Sequence, residues 1–441
     1  MDTAGDAARL PSAIAITGRL RPLASEDWLA VAIGLLSIWG VLAGVRPALP
    51  AFGWVAAGDL ADKVLAASNL LDALTIGAAL AALAGTGVLL MGGALARFVI
   101  GFPALYALAL LAQVIAGNAT VVSWGFEYVI FAFAFGLAVS NTIGVPSWLE
   151  EAARTELYIK TGLVVLGASI VFGDMMQAGL LGIAQALLVV AAVWFFCFWL
   201  AKKLRVDDEF ATMMASAVSI CGVSAAIATC GAIQGDRRKL SYVTSLVLIV
   251  AAPMMVVMPL VIKAFGIPDV VGGAWLGGTL DTSASVVAAG EMISTQARNA
   301  GVVVKLSQNV LIGVAAFLLT IWWAMRNRKE ASASERPSAG VIWERFPKFV
   351  LGFIAASFLF SFVISGQALE DTRGLLTGLR TMWFALAFAS IGLDTRFSDL
   401  ATADSGRAAL AFLGGQAFNV VWTLILAYLL FGGILFAVPS L

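Results

Sequence analysis

Gly277-Gly-Thr-Leu-Asp-Thr-Ser-Ala-Ser285 and Ser216-Ala-Val-Ser-Ile-Cys-Gly-Val-Ser224 interrupt two otherwise apolar segments with small and polar residues. The first is followed by Val286-Val-Ala-Ala-Gly290 and the second by Thr229. A helix that only packs in lipid has no use for an aspartate among hydroxyls, because an unpaired polar group in hydrocarbon costs several kcal/mol. Paired interrupted spans are the sequence pointer to a binding site at the bilayer midplane of a secondary transporter.

Working outward, the composition agrees. The 441 residues are 61% hydrophobic and 12% charged, with no histidine and a formal net charge of zero. Soluble domains are nearer half apolar and a quarter charged, so the chain reads as an all-α polytopic membrane protein. Zero net charge gives no sign of a nucleic-acid partner. Cys197, Cys221 and Cys230 lie in apolar segments without metal-type spacing and read as free thiols.

About 11 to 13 apolar segments approach the ~20-residue spanning length. They fall near 28–45, 73–92, 96–116, 121–140, 158–173, 177–200, 210–233, 240–264, 272–291, 300–325, 345–366, 378–393 and 407–437. Residues 1–27 read as a cytosolic tail and 28–150 as scaffold and homodimerisation spans. Residues 151–325 read as a transport core with broken helices near 216–229 and 277–290. A cytoplasmic linker follows at 326–348, and spans at 349–441 complete the core.

Lysine and arginine in short loops set orientation. Lys202-Lys203-Leu-Arg205, Arg326-Asn-Arg-Lys329, Arg396 and Arg407 share a side with the N-terminal arginines if every segment crosses. That side is assigned to the cytoplasm of a bacterial inner membrane. Asp236-Arg-Arg-Lys239 would then lie outside. If 210–233 and 272–291 were re-entrant hairpins instead, it would move inside and the rest would stay in place.

The run Gly162–Asp174 is echoed by Phe384–Asp394, each an apolar helix ending in small residues and an Asp corner. Crossing directions are opposite, as an inverted repeat requires, although Gly/Ser/Asp corners are also common at helix ends.

These stretches, with Ser219–Ile227, Gly277–Gly290, Val302-Val-Val-Lys-Leu306, Phe349–Phe353 and Ala387–Leu393, resemble the YeiH-like family of proposed sulfate exporters. The resemblance runs from about residue 75 to the C-terminus and implies a multi-span carrier of small anions. The broken span and the helix pair before it are also similar to bile-acid/sodium symporters. Three positions depart from the family pattern. Val223 stands where many members have Asn, Asp281-Thr282 where many have His-Glu, and Gln308 where many have Arg.

Ser219, Cys221, Gly222 and Ser224 are candidates for the first half of a substrate site. Glycine permits unwinding, and a half-helix N-terminus attracts anions. Small residues also serve close helix packing. Thr279, Thr282, Ser283 and Ser285 are candidates for the second half, with Asp281 as the ion-coupling residue. Asp281 could bind Na⁺, carry H⁺, anchor a cationic group, or pair with Lys305. Lys305, Gln308 and Asn309 form a polar stripe that could meet an anion, although a lysine can also snorkel. Glu127, Asp174, Glu291 and Asp394 sit near span ends, where capping is the simpler role. Met213-Met214 and Met254-Met255 read as core or lipid-facing, Trp28 and Trp124 as interfacial.

The leading expectation is a secondary active transporter of a small anion working by alternating access. The alternatives are a cation/proton antiporter using Asp281 and a membrane-embedded enzyme. The enzyme lacks histidine and a carboxylate dyad, and no phosphate-cradling Gly loop is present.

Overall fold

The computed structural model describes residues 25–123, 126–326, 340–364, 367–396 and 406–441. Most of the N-terminal tail, most of the linker, and Trp124 lie outside the described residues. All described regular elements are helical. Among the described residues five longer helices come first, with short helical turns between them: α1 (Glu26–Leu42), α2 (Ala67–Leu90), α3 (Leu95–Ala116), α4 (Tyr128–Thr142) and α5 (Thr155–Gly167). Then come α6 (Phe172–Lys203), α7 (Asp208–Ser216), α8 (Gly222–Ile233), α9 (Arg237–Ala264), α10 (Asp269–Thr279), α11 (Ser283–Glu291) and α12 (Thr295–Arg326). The last three are α13 (Phe349–Phe358), α14 (Gln367–Asp394) and α15 (Gly406–Phe431).

Polar contacts at the helix ends define two faces. On the N-terminal face, Lys160 near the start of α5 pairs with Asp27 at 2.7 Å, and Thr155 donates to Asp394 at 2.7 Å. On the opposite face, Ser357 donates to Ile170 O and Phe172 N donates to Ser361 Oγ. There too, Ser440 donates to Asp174 after the end of α15.

Eight described helical stretches are long and apolar enough to cross a membrane by length and composition, Asp208–Ile233 among them. That stretch does not cross. Its far end returns to its start, where Lys239 Nζ meets Asp207 at 2.7 Å and Glu209 at 3.1 Å. The reversal occurs at Cys221–Gly222, after a π-helical turn (Ala217–Cys221), with Gly222 at φ +33°. Only glycine takes that backbone freely. A Cβ there would stand 2.6 Å from Val247.

The second interruption is also a hairpin. A Cβ on Gly301 of α12 would stand 3.0 Å from both Gly273 O in α10 and Val286 in α11, and Gly290 abuts Arg298. Both arms therefore rest on the first turns of α12, at the opposite face. The version in which every segment crosses is thus corrected. With the hairpin, Asp236-Arg-Arg-Lys239 joins the N-terminal face with the other basic loops.

Packing sorts the helices into two sets. α1–α5, α13 and α14 form one, with α14 packed most extensively on α4 and α5. The echoed stretches meet here: Tyr158 stacks on Trp383 at 5.9 Å, and Gly162 leaves room for the Phe384 ring. α6–α12 and α15 form the other set, where α12 touches α6, α8, α10 and α11. The sets meet where α11 touches α4, α5 and α14, and where α6 touches α13.

A topology test follows. Single cysteines replacing Asp207 and Lys239 should react with an impermeant maleimide from the same membrane side, and the double variant should crosslink. Labelling from opposite sides would restore the crossing arrangement.

Candidate functional site

The two hairpins enter from opposite faces and their tips touch. An ideal Cβ on Gly222 would lie 3.1 Å from both Asp281 Cβ and Asp281 O. Each reversal ends one short helix and starts another, so each frees carbonyls on one side and N–H groups on the other.

The carbonyls are satisfied by side chains of α12 and α15. Lys305 Nζ donates to Ile220 O at 2.6 Å, to Leu280 O at 2.8 Å and to Gln308 Oε1 at 2.9 Å. Gln308 Nε2 donates to Ser219 O at 2.7 Å and more weakly to Gly278 O. Asn419 Nδ2 reaches Val218 O and Thr279 O, and Gln416 Nε2 reaches Thr279 O at 3.0 Å. Lys305 binds the two hairpins at similar places, since Ile220 stands two residues before the start of α8 at Gly222 and Leu280 three before the start of α11 at Ser283.

The N–H groups are treated differently. At α11, Thr282 Oγ1 accepts from Ser285 N at 3.0 Å and shares a hydrogen bond with Ser285 Oγ at 2.7 Å. First-turn residues of α8 and α11 line a cavity of ≈ 870 Å³. Cys221, Val223, Ser224, Thr282, Ser283, Ser285 and Asn309 line it from the hairpin side. Asn309 Nδ2 donates to Ser283 Oγ at 2.9 Å. The far wall belongs to the other helix set, with Trp28, Lys160 and Ile391, and the mouth lies at the N-terminal face between Asp27, Glu156, Glu344 and Asp394. Lys348, on the connection before α13, is held below the ordinary lysine value by burial, against the pull of Asp27 and Glu344.

The sequence candidates therefore separate. Cys221, Ser224, Thr282, Ser283, Ser285 and Asn309 reach the cavity, while Gly222 forms the contact between hairpins. Lys305 and Gln308 hold the crossing, and all three Lys305 donors are engaged. The Asp281–Lys305 ion pair is absent among the described residues. Asp281 is 2% exposed with no donor to either carboxylate oxygen. Ser219 Oγ, Thr279 Oγ1 and Gln416 Oε1 are also buried without partners.

Gln416 and Asn419 escaped the sequence reading. Their signal was Gln416, Asn419 and Thr423 recurring at helical spacing on an apolar span, the same pattern that marked Lys305, Gln308 and Asn309. Lys160, Asp27 and Glu156 carried no comparable signal, because they join the cavity only through tertiary packing. Trp28 lines the far wall, and Met213, Met214 and Met255 are buried.

The family described as conserved hypothetical protein 698 matches residues 100–411. A UPF0324 membrane protein of Rhodopirellula baltica is 40% identical over 373 residues, covering 82% of this chain and 68% of that protein. A UPF0324 membrane protein of Nitratidesulfovibrio vulgaris is 40% identical over 360 residues, covering 78% of this chain and 61% of that protein. The chain thus spans under two thirds of the length of the second relative. The UPF0324 inner membrane protein YeiH of Salmonella typhimurium is 26% identical over 312 residues, covering 67% of this chain and 86% of that protein. No solved structure matches the chain significantly.

Removing the Lys305 ammonium should loosen the crossing. Lys305→Met leaves Ile220 O and Leu280 O without that donor, a loss of about 1–3 kcal/mol for each buried group. A lower unfolding midpoint in detergent is expected, and an unchanged midpoint would refute the clamp.

Proposed function

The chain belongs to the family described as conserved hypothetical protein 698, and from that premise we propose a secondary transporter of a small anion. One observation carries the reading. Two half-helix N-termini, on hairpins that enter from opposite faces, converge on one cavity between two sets of helices. Helix N-termini attract anions through oriented N–H groups and the positive dipole end. Ser224, Ser283 and the amide of Asn309 add neutral hydrogen-bonding groups beside them. Sulfate, a small sulfonate or a carboxylate suits this chemistry, in keeping with the resemblance to proposed sulfate exporters.

Transport follows from sliding the hairpin-bearing set against the α1–α5, α13 and α14 set, which exposes the cavity to either face in turn. The sequence similarity to bile-acid/sodium symporters supports this reading, since it implies a core with crossing broken helices. The N-terminal face is the cytoplasmic one, because Lys202, Lys203, Arg205, Lys239, Arg396 and Arg407 gather there.

Asp281 is the coupling residue. A buried carboxylate without a donor is costly, and a proton or Na⁺ relieves that cost. Ser219 Oγ, Thr279 Oγ1 and Gln416 Oε1 are the oxygens available to help hold Na⁺. Neutralising Asp281 also strengthens the positive potential beside the N–H groups, so cation and anion binding favour each other. The same unpartnered carboxylate supports a second reading, cation/proton antiport without an anion.

Proteoliposomes loaded with the full chain test this. Radiolabelled sulfate should accumulate under an imposed Na⁺ or proton gradient. Asp281→Asn should abolish that accumulation while the protein stays monodisperse. Accumulation at the wild-type rate would remove Asp281 from the mechanism. Cation flux that ignores added oxyanions, sulfonates and carboxylates would favour the antiporter.

A further inference from the structure

The opposite face is bridged by charge where the two helix sets meet. Glu291, the last residue of α11, accepts Arg298 Nη1 of α12 at 3.0 Å. Arg380 Nη2 of α14 stands 3.8 Å from the same carboxylate oxygen. α11 and α12 belong to one set and α14 to the other, so the three groups span the boundary. Arg298 completes its donors on Asn299 Oδ1, at 3.2 and 2.9 Å.

Arg380 is less well satisfied. It is 7% exposed, its Nε has no acceptor, and the long contact to Glu291 is its one ion pair among the described residues. Another buried donor beside it also lacks an acceptor, Tyr128 OH on α4. Tyr128 is close enough to interact electrostatically with Glu291, Arg298, Arg380 and Glu127. Glu127 in turn interacts with Glu291 and Lys263. Counting Arg298, Arg380 and Lys263 against Glu291 and Glu127 leaves one positive charge in excess.

A guanidinium presents five donors in a planar fork and matches oxyanions in two-point contacts. Burying one with a single long contact is unfavourable unless a better acceptor joins it. We propose that Arg298, Arg380 and Tyr128 form an oxyanion-binding site at the opposite face, with Glu291 as its built-in occupant. Glu291 ties the helix sets together while the cavity is open at the N-terminal face. An oxyanion arriving from the opposite face replaces the Glu291 carboxylate and frees α11 to move away from α14. Opening of that face is thereby linked to the presence of an anion. The inference rests on the anion reading of the hairpin cavity, although the two sites share no residue.

Equilibrium binding of radiolabelled sulfate to the purified full chain, at constant ionic strength in detergent, tests it. Glu291→Gln should bind one more sulfate per chain than the wild type, and Glu291→Gln with Arg380→Gln should lose that extra sulfate. Arg380→Lys in the Glu291→Gln background should keep it at several-fold weaker affinity. If Glu291→Gln does not fold, Glu291→Asp, whose shorter carboxylate reaches less far toward Arg380, gives the same comparison. No additional sulfate in the folded Glu291 variants overturns the proposal. Additional sulfate that survives Arg380→Gln also overturns it. If the wild type binds none and Glu291→Gln binds one, this site stands and the hairpin-cavity reading falls.

Discussion

One ammonium group holds the crossing together. Lys305 donates to a carbonyl just before each half-helix N-terminus, Ile220 O on one hairpin and Leu280 O on the other. In lipid no water is at hand for a freed backbone group, so irregular chain at membrane depth survives only where protein completes its hydrogen bonds. Gln308, Gln416 and Asn419 extend the same service to Val218, Ser219, Gly278 and Thr279. The two hairpins are thus treated alike by α12 and α15, although they enter from opposite faces.

The carbonyl sides of the breaks are turned toward these side chains, while first-turn residues of α8 and α11 line the cavity. That asymmetry leaves the cavity beside two half-helix N-termini, while Lys305 is engaged by carbonyls on both hairpins. It also isolates Asp281, which lies at the contact between hairpins and meets no donor.

The boundary between the helix sets is uneven. At the N-terminal face it opens into the cavity, rimmed by Asp27, Glu156, Glu344 and Asp394. At the opposite face it carries Glu291 between two arginines. The tight contacts of Gly162 with Phe384 and of Tyr158 with Trp383 stay within one set. A relative movement of the two sets would leave those contacts intact.

The sequence by itself determined that the chain is a helical membrane protein and that residues 216–224 and 277–285 cannot be ordinary spans. Composition and the cost of burying Asp281 among hydroxyls in hydrocarbon sufficed, because both are local properties. It also singled out the Lys305, Gln308 and Asn309 stripe, though not what each atom binds. Only the tertiary structure decided that both interruptions turn back instead of crossing. Hydropathy cannot distinguish a hairpin from a span of equal length, whereas the Lys239 contacts to Asp207 and Glu209 can. The side on which each C-terminal span packs was likewise hidden, since α14 and α15 are both long and apolar but join different sets. The Glu291, Arg298 and Arg380 cluster was invisible for the same reason. Its members lie on three helices, and only folding brings charges distant in sequence within reach of one another.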